Sequence, residues 1–166
     1  MWYCQMLEEL PHLHELQSLK QLHIVGCSSL TKLPVELGEN NAFPLLEILS
    51  LVELPHLKEL PTLEEGAMSF LQIFTLMNCE KLEMLPKTYL NLKTLKKIRV
   101  YGCPLVLKNL EENKKINTKV EVTTISTVDL VEFNKGLKDS SNVRSWFYDE
   151  FWCNEVFLFL SQLYDF

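Results

Sequence analysis

The most reactive side chains in this sequence are five cysteines and four histidines. A catalytic thiol needs a base within reach, and a zinc site needs cysteine or histidine ligands at short, paired spacings. The sequence contains no C-x-x-C or H-E-x-x-H pair, no glycine-rich phosphate loop and no Gly-x-Ser-x-Gly turn. Acidic pairs such as Glu64-Glu65 lie in hydrophilic stretches. We therefore expect no enzyme activity, no metal and no cofactor.

Four of the five cysteines recur at one position of an apolar pattern, Leu-x-x-Leu-x-Leu-x-x-Cys-x-x-Leu-x-x-Leu-Pro. This position falls at Cys4, Cys27, Leu54, Cys79 and Cys103, so successive copies are 23, 27, 25 and 24 residues apart. These lengths are typical of leucine-rich repeats, which have periods of about 20–29 residues and place Asn or Cys here. The pattern indicates a structural cysteine that satisfies the turn after a strand, with metal binding or a disulfide as the alternative.

The repeated leucines predict the elements that position these residues. In Leu-x-Leu the apolar side chains alternate with period two, so a short strand points both inward. One coil cannot bury its own leucines, whereas stacked coils bury them in one column. The predicted core positions are Leu19, Leu22, Ile24, Leu30 and Leu33, then Leu46, Leu49, Leu51, Leu57 and Leu60, then Leu71, Phe74, Leu76, Leu82 and Leu85, then Leu95, Ile98, Val100 and Val106.

The predicted fold is an α/β solenoid, a leucine-rich-repeat horseshoe. It has one short parallel strand per repeat on the concave face and irregular, 3-10 or short helical segments on the convex side. The prolines that close the repeats, Pro11, Pro34, Pro61 and Pro86, mark where the chain turns to that side.

The repeats predict two regions. Residues 1–125 form the repeat domain, with a partial first repeat beginning inside a strand at Met1, about four further repeats and a terminal cap. Residues 119–126 are rich in β-branched residues and predict one more strand in that cap. Residues 126–166 are a linker followed by an aromatic-rich tail. The tail, 146–166, has partial helical spacing and could dock on the repeats, lie on a membrane surface or have no role.

The residues between the core positions of each strand predict a binding surface on the concave face. Adjacent strands lie about 5 Å apart, so equivalent residues form nearly continuous columns. The column Val25, Val52, Met77 and Tyr101 is apolar, and we expect it to be exposed; it indicates either an interface or ordinary strand preference. The other columns are His23, Ser50, Thr75 and Arg99, and Gln21, Ile48, Ile73 and Lys97.

Charge is distributed unevenly along the chain. The net charge of −6 argues against a nucleic-acid partner. Residues 1–65 hold ten acidic and three basic side chains, whereas residues 87–99 hold five basic side chains and no acid. This basic segment is either a solvated edge or a contact for an acidic partner.

The sequence shows no signal peptide, no apolar run of transmembrane length and no Asn-x-Ser/Thr acceptor. These absences favour an intracellular, cytoplasmic protein with reduced cysteines.

Three segments resemble the repeats of plant intracellular nucleotide-binding leucine-rich-repeat (NBS-LRR) disease-resistance proteins. They are residues 22–34, LHIVGCSSLTKLP, residues 76–86, LMNCEKLEMLP, and residues 97–105, KIRVYGCPL. The resemblance covers roughly residues 1–125 and implies a role in pathogen sensing. Its partner would be a pathogen effector, a guarded host protein or the receptor's own nucleotide-binding domain, which is not encoded in this sequence. The alternatives are a free-standing repeat scaffold or adaptor, and a truncated fragment without independent function.

Overall fold

A computed structural model of the chain describes residues 6–10, 13, 16–112 and 121–125. Five short strands form one parallel sheet in sequence order: β1 (Gln21–Val25), β2 (Ile48–Val52), β3 (Ile73–Met77), β4 (Lys97–Tyr101) and β5 (Glu121–Ile125). The connections contain a 3-10 helix (Val35–Leu37) and two helices, α1 (Lys87–Leu90) and α2 (Pro104–Glu112). A parallel sheet with such connections and few helices is a solenoid. The predicted solenoid is confirmed at this level.

The strands pair without any offset, so equivalent residues of successive coils lie side by side. Leu22 pairs with Leu49, which pairs with Phe74, and the row continues to Ile98 and Val122. Each of the four strands from β1 to β4 begins one residue before the first inward residue predicted for that strand. These inward residues are Leu22, Leu49, Phe74 and Ile98. The register therefore confirms the columns predicted from the repeat spacing.

The core is a single column of stacked leucines on one side of the sheet. The inward residues of β1 to β4 are all at least 97% buried, and the leucines that flank each strand pack against them. Complete burial of one such side chain contributes about 1.5–3 kcal/mol. No coil can obtain this contribution alone, because its leucines are buried against the neighbouring coils.

A tight turn follows each strand and joins neighbouring coils. The first residue after the strand has a positive φ in all four cases: 69° at Gly26, 53° at Glu53, 52° at Asn78 and 60° at Gly102. The N–H groups of the first three donate to the last carbonyl of the next strand, at 2.8–3.0 Å. The turn thereby extends the sheet ladder by one hydrogen bond per coil.

Two of the prolines that close the repeats lie immediately before a helical segment. Pro34 precedes the 3-10 helix and Pro86 precedes α1, with φ of −57° at both residues. Just before these prolines, a second set of parallel hydrogen bonds links the coils. The N–H of Lys58 donates to the carbonyl of Thr31 at 3.0 Å, and that of Glu83 donates to the carbonyl of Lys58 at 3.1 Å.

The last coil differs from the others. Where the closing Leu-Pro is lost, α2 follows Cys103 and buries Val106 and Leu110 against the core. Strand β5 then pairs with β4, which confirms the extra strand predicted within residues 119–126. The predicted start at Met1 and the segment 126–166 lie outside the described residues. Within the described ranges, no helix is both long enough and apolar enough to cross a membrane.

Candidate functional site

The predicted binding residues all lie on the sheet surface opposite the core, which we call the outward sheet face. Because Leu22 and Ile24 point inward, the alternating residues of the same strand point outward. The same argument applies to β2, β3 and β4. The outward sheet face is formed by Gln21, His23, Val25, Ile48, Ser50, Val52, Ile73, Thr75, Met77, Lys97, Arg99 and Tyr101.

The centre of this face is completely buried. Ser50 and Thr75 are neighbours on β2 and β3, and both are 0% exposed. Their hydroxyl groups have no hydrogen-bond partner among the described residues. A buried hydroxyl without a partner costs about 1–3 kcal/mol relative to one that is hydrogen-bonded. The sequence pattern predicted the column that these two residues share with His23 and Arg99, but it made no prediction of their burial.

The apolar column is also less exposed than predicted. Val25 is 38% exposed, but Val52 is only 8% exposed, and Met77 and Tyr101 are half-buried. The prediction of a fully exposed column is therefore wrong at Val52. This residue has a neighbouring strand on each side, and its short side chain lies between Val25 and Met77. The exposed part of the column is at its ends.

His23 lies on β1, at the start of the column that continues with Ser50, Thr75 and Arg99. Its Nε2 lies 3.4 Å from Oε1 of Gln21, within hydrogen-bond distance. Partial burial lowers the pKa of His23 below its ordinary value, because desolvation penalises the charged imidazolium. His23 is therefore mainly neutral at neutral pH.

Two basic side chains lie on β4. Lys97 and Arg99 project from this strand, while the outward positions of β2 and β3 carry no charge. The next strand, β5, places Glu121 in register with Lys97 and Thr123 in register with Arg99. The basic residues of β4 would attract an acidic group of a partner.

A polar row borders the face, one residue before each strand. Lys20 lies 3.9 Å from Glu47, and the ammonium of Lys96 donates to Oε1 of Gln72 at 2.8 Å. The row has the same spacing as the columns, so the repeat pattern contained the signal, but we did not predict it as part of the site. Its exposed ion pair contributes at most about 1 kcal/mol to stability.

The thiols of three cysteines form hydrogen bonds with the turns after the strands, as predicted. The thiols of Cys27, Cys79 and Cys103 each donate to the carbonyl two residues earlier, at 3.7, 3.5 and 3.3 Å. The N–H of Cys79 also donates to Sγ of Cys103 at 3.4 Å, which links two coils. The contact with Cys103 and burial both raise the pKa of the Cys79 thiol. A buried thiol with a raised pKa is a poor nucleophile.

His56 links two coils through its imidazole. Nδ1 of His56 donates to the carbonyl of Ser28 at 2.7 Å, which links two coils. His12 and His14 lie outside the described residues. Across the described ranges there is no group of three His, Cys, Asp or Glu side chains that could hold a metal ion.

No protein-family model matches the sequence, and no curated protein is significantly similar to it.

Proposed function

We propose that this chain is a protein-binding module, the leucine-rich-repeat segment of a plant immune receptor of the NBS-LRR type. In this proposal it senses a pathogen effector or a guarded host protein in the cytoplasm, and it contributes to autoregulation through the receptor's nucleotide-binding domain. The single observation that carries the binding role is the outward sheet face, where twelve residues of four strands lie in register. The resemblance of residues 22–34, 76–86 and 97–105 to these receptors supports the specific class.

The composition of the face supports protein binding over other functions. Protein interfaces combine a desolvated centre, aromatic and methionine side chains, and a polar rim. Here Met77 and Tyr101 are half-exposed on the face, and the polar row from Lys20 to Lys96 borders it. Lys97 and Arg99 on β4 would attract an acidic group of a partner.

The size of the face limits how it can bind. Four strands about 4.8 Å apart and five residues long, at about 3.3 Å per residue, cover roughly 300 Å². A stable protein interface buries about 800 Å² on each partner. A partner must therefore also contact the border row, the turns after the strands, or further repeats of a longer receptor.

The test is a binding titration of the full chain with defined partners. Suitable probes are pathogen effector proteins and the nucleotide-binding domain of a plant immune receptor. Tyr101→Ala and Met77→Ala each remove a large, half-exposed, uncharged side chain from the face. We expect each substitution to weaken binding by about 1–3 kcal/mol, or roughly 5- to 150-fold, because buried aromatic contacts dominate interface energies.

Val35→Ala is the matched control, because Val35 is 70% exposed in the 3-10 helix, away from the sheet. It should leave the affinity unchanged, and circular dichroism should show that all three variants fold. If Tyr101→Ala and Met77→Ala bind a partner as tightly as the wild type, the outward sheet face is not the binding site.

A free-standing scaffold is the second candidate, favoured by the way the last coil is covered. Helix α2 replaces the closing Leu-Pro in the last coil and buries Val106 and Leu110 against the leucine column, as a capping element does in a solenoid. The transcript upstream of Met1 separates the two candidates. A nucleotide-binding module encoded there supports the receptor segment, whereas a stable chain without such a module supports the scaffold.

A further inference from the structure

Two cysteines of neighbouring coils lie side by side in the turns after β3 and β4. Met77 and Tyr101 are in register at the ends of these strands, and Cys79 and Cys103 follow them by two residues. The N–H of Cys79 donates to Sγ of Cys103 at 3.4 Å, and the two thiols also interact directly. A strand spacing of about 4.8 Å lies within the range of roughly 4.4–6.8 Å over which a disulfide can bridge two Cα atoms. The fold therefore places these two sulfurs where a bond between them can form.

We propose that Cys79 and Cys103 form a reversible disulfide under oxidising conditions, and that this bond locks the last coil onto the coil before it. The two cysteines would then be a redox modification site within the solenoid. The inference goes beyond the proposed function and does not rest on it, because it concerns two buried turns and not the outward sheet face.

The backbone around the two cysteines can accommodate the loss of both thiol protons. Each thiol donates to the carbonyl two residues earlier, which belongs to Met77 in one turn and to Tyr101 in the other. Both carbonyls also accept a backbone N–H, from Glu53 at 2.8 Å and from Asn78 at 2.9 Å. They therefore remain hydrogen-bonded when the thiols are oxidised, so this oxidation avoids the cost of a buried carbonyl without a donor.

Cys103 is the thiol that reacts first. Hydrogen bonds from the side chain and the N–H of Cys79 lower the pKa of Cys103, although burial opposes them. With hydrogen peroxide as the oxidant, the Cys103 thiolate attacks one peroxide oxygen and the O–O bond breaks. The departing hydroxide takes up the proton that Cys103 released and becomes water, which leaves a sulfenic acid on Cys103.

The Cys79 sulfur completes the reaction. It attacks the sulfenic sulfur of Cys103, the S–O bond breaks, and the second hydroxide leaves with the Cys79 proton as water. Two thiols and one peroxide thus give one disulfide and two waters. Dithiothreitol reverses the modification by thiol–disulfide exchange.

Access of the oxidant depends on opening of the last coil. Cys79 and Cys103 are both completely buried, and Cys103 lies directly before α2, which packs against the core through Val106 and Leu110. Elements near the end of a solenoid open at a lower free energy than central ones. The rate of oxidation should therefore follow the opening of α2.

Treatment of the reduced full chain with hydrogen peroxide, followed by alkylation and peptide mapping without reduction, tests the proposal. We expect a peptide pair linked through Cys79 and Cys103, with a loss of two hydrogens that dithiothreitol restores. The midpoint of urea unfolding should rise on oxidation and return on reduction, because a crosslink restricts the unfolded chain. Val106→Ala should speed the oxidation several-fold, because it weakens the packing of α2.

Cys27→Ser is the matched control. Cys27 occupies the same position of the repeat, but Leu54 stands at the equivalent position of the next coil, so this variant should still form the Cys79–Cys103 link. Cys103→Ser should abolish both the link and the rise in the urea midpoint. If Cys103→Ser does not fold, the peptide map and the urea midpoints of the wild-type chain decide the outcome.

Several results would overturn the proposal. One is a native chain in which Cys79 and Cys103 stay unlinked at peroxide concentrations that oxidise the urea-unfolded chain. Another is a link to Cys4 or Cys153, or between two chains, in place of the expected one. A linked chain whose urea midpoint does not rise would show that the bond does not lock the last coil. The partner titration measures a different surface, so failure of this proposal and failure of the proposed function are distinguishable.

Discussion

At the scale of single residues, Tyr89 shows how a buried polar atom can reduce stability. Its ring stacks on Phe74 with centroids 5.2 Å apart and an interplanar angle of 21°, and the side chain is completely buried. Its hydroxyl has no hydrogen-bond partner in the described part of the chain, and burial raises its pKa. The aromatic ring therefore stabilises the core, while the hydroxyl costs part of that free energy.

Tyr89→Phe separates these two contributions. We expect it to raise the free energy of unfolding by about 1 kcal/mol, because it removes an unpaired hydroxyl and keeps the ring. Tyr89→Ala should lower the free energy of unfolding by about 3–5 kcal/mol, because it leaves a cavity beside Phe74. Urea unfolding monitored by circular dichroism measures both. A destabilising Tyr89→Phe would show that the hydroxyl has a partner.

The raised pKa of Tyr89 also predicts a pH dependence. The unfolded chain ionises its tyrosines near pH 10, whereas folded Tyr89 retains its proton. The folded state then binds more protons than the unfolded state, so stability falls as the pH rises above about 10. Urea unfolding between pH 8 and 11 should show a shallower alkaline loss for Tyr89→Phe than for the wild type. Equal slopes would contradict the burial of this phenol.

At the scale of elements, the turn after each strand imposes one backbone conformation on four different residues. Two of the four positions are glycine and one is asparagine, residues that tolerate positive φ. Glu53 has φ of 53° with a full side chain, and its N–H still donates to Met77 at 2.8 Å. The hydrogen bond between coils therefore holds Glu53 in a conformation that its side chain disfavours.

Glu53→Gly should relieve this strain. We expect the free energy of unfolding to rise by about 1 kcal/mol, since the left-handed conformation costs a non-glycine residue about 1–2 kcal/mol and glycine loses more entropy on folding. Gly102→Ala at the equivalent turn should have the opposite sign and provides the control. Chemical denaturation measures both variants. A Glu53→Gly variant less stable than the wild type would show that the glutamate side chain makes a compensating contact.

At the scale of the whole molecule, stability is shared between neighbours along the solenoid. Leu76 on β3 is buried between coils on both sides, whereas Ile24 on β1 has one neighbouring strand in the described sheet. The two residues occupy the same position of the repeat. Besides their side-chain branching, they differ in how many strands flank them in the sheet.

Substitution of Leu76 should therefore reduce amide protection in more strands than substitution of Ile24. Leu76→Ala should cost about 2–5 kcal/mol and reduce amide protection in β2, β3 and β4, because each coil depends on its neighbours. Ile24→Ala should reduce protection mainly in β1 and β2. Hydrogen exchange measured residue by residue checks this. An equal loss of protection throughout the sheet in both variants would indicate one cooperative unit instead of nearest-neighbour coupling.

The sequence by itself determined the strands, their register and the inward leucines, because these depend on local spacing that repeats with each coil. Leu22 and Leu49 occupy equivalent positions in the pattern and pair in the sheet. The role of Cys79 was also readable, since its thiol bonds to the carbonyl only two residues away.

The tertiary structure alone decided which outward residues are dry and which turns are strained. The burial of Ser50, Thr75 and Val52 depends on what lies beside and above them, and the repeat pattern contains only the direction in which each side chain points. Glu53 adopts a positive φ because the next coil accepts its N–H, a partner 24 residues along the chain. Periodicity encodes side-chain direction, whereas burial and strain arise from contacts between coils that the spacing of one coil does not specify.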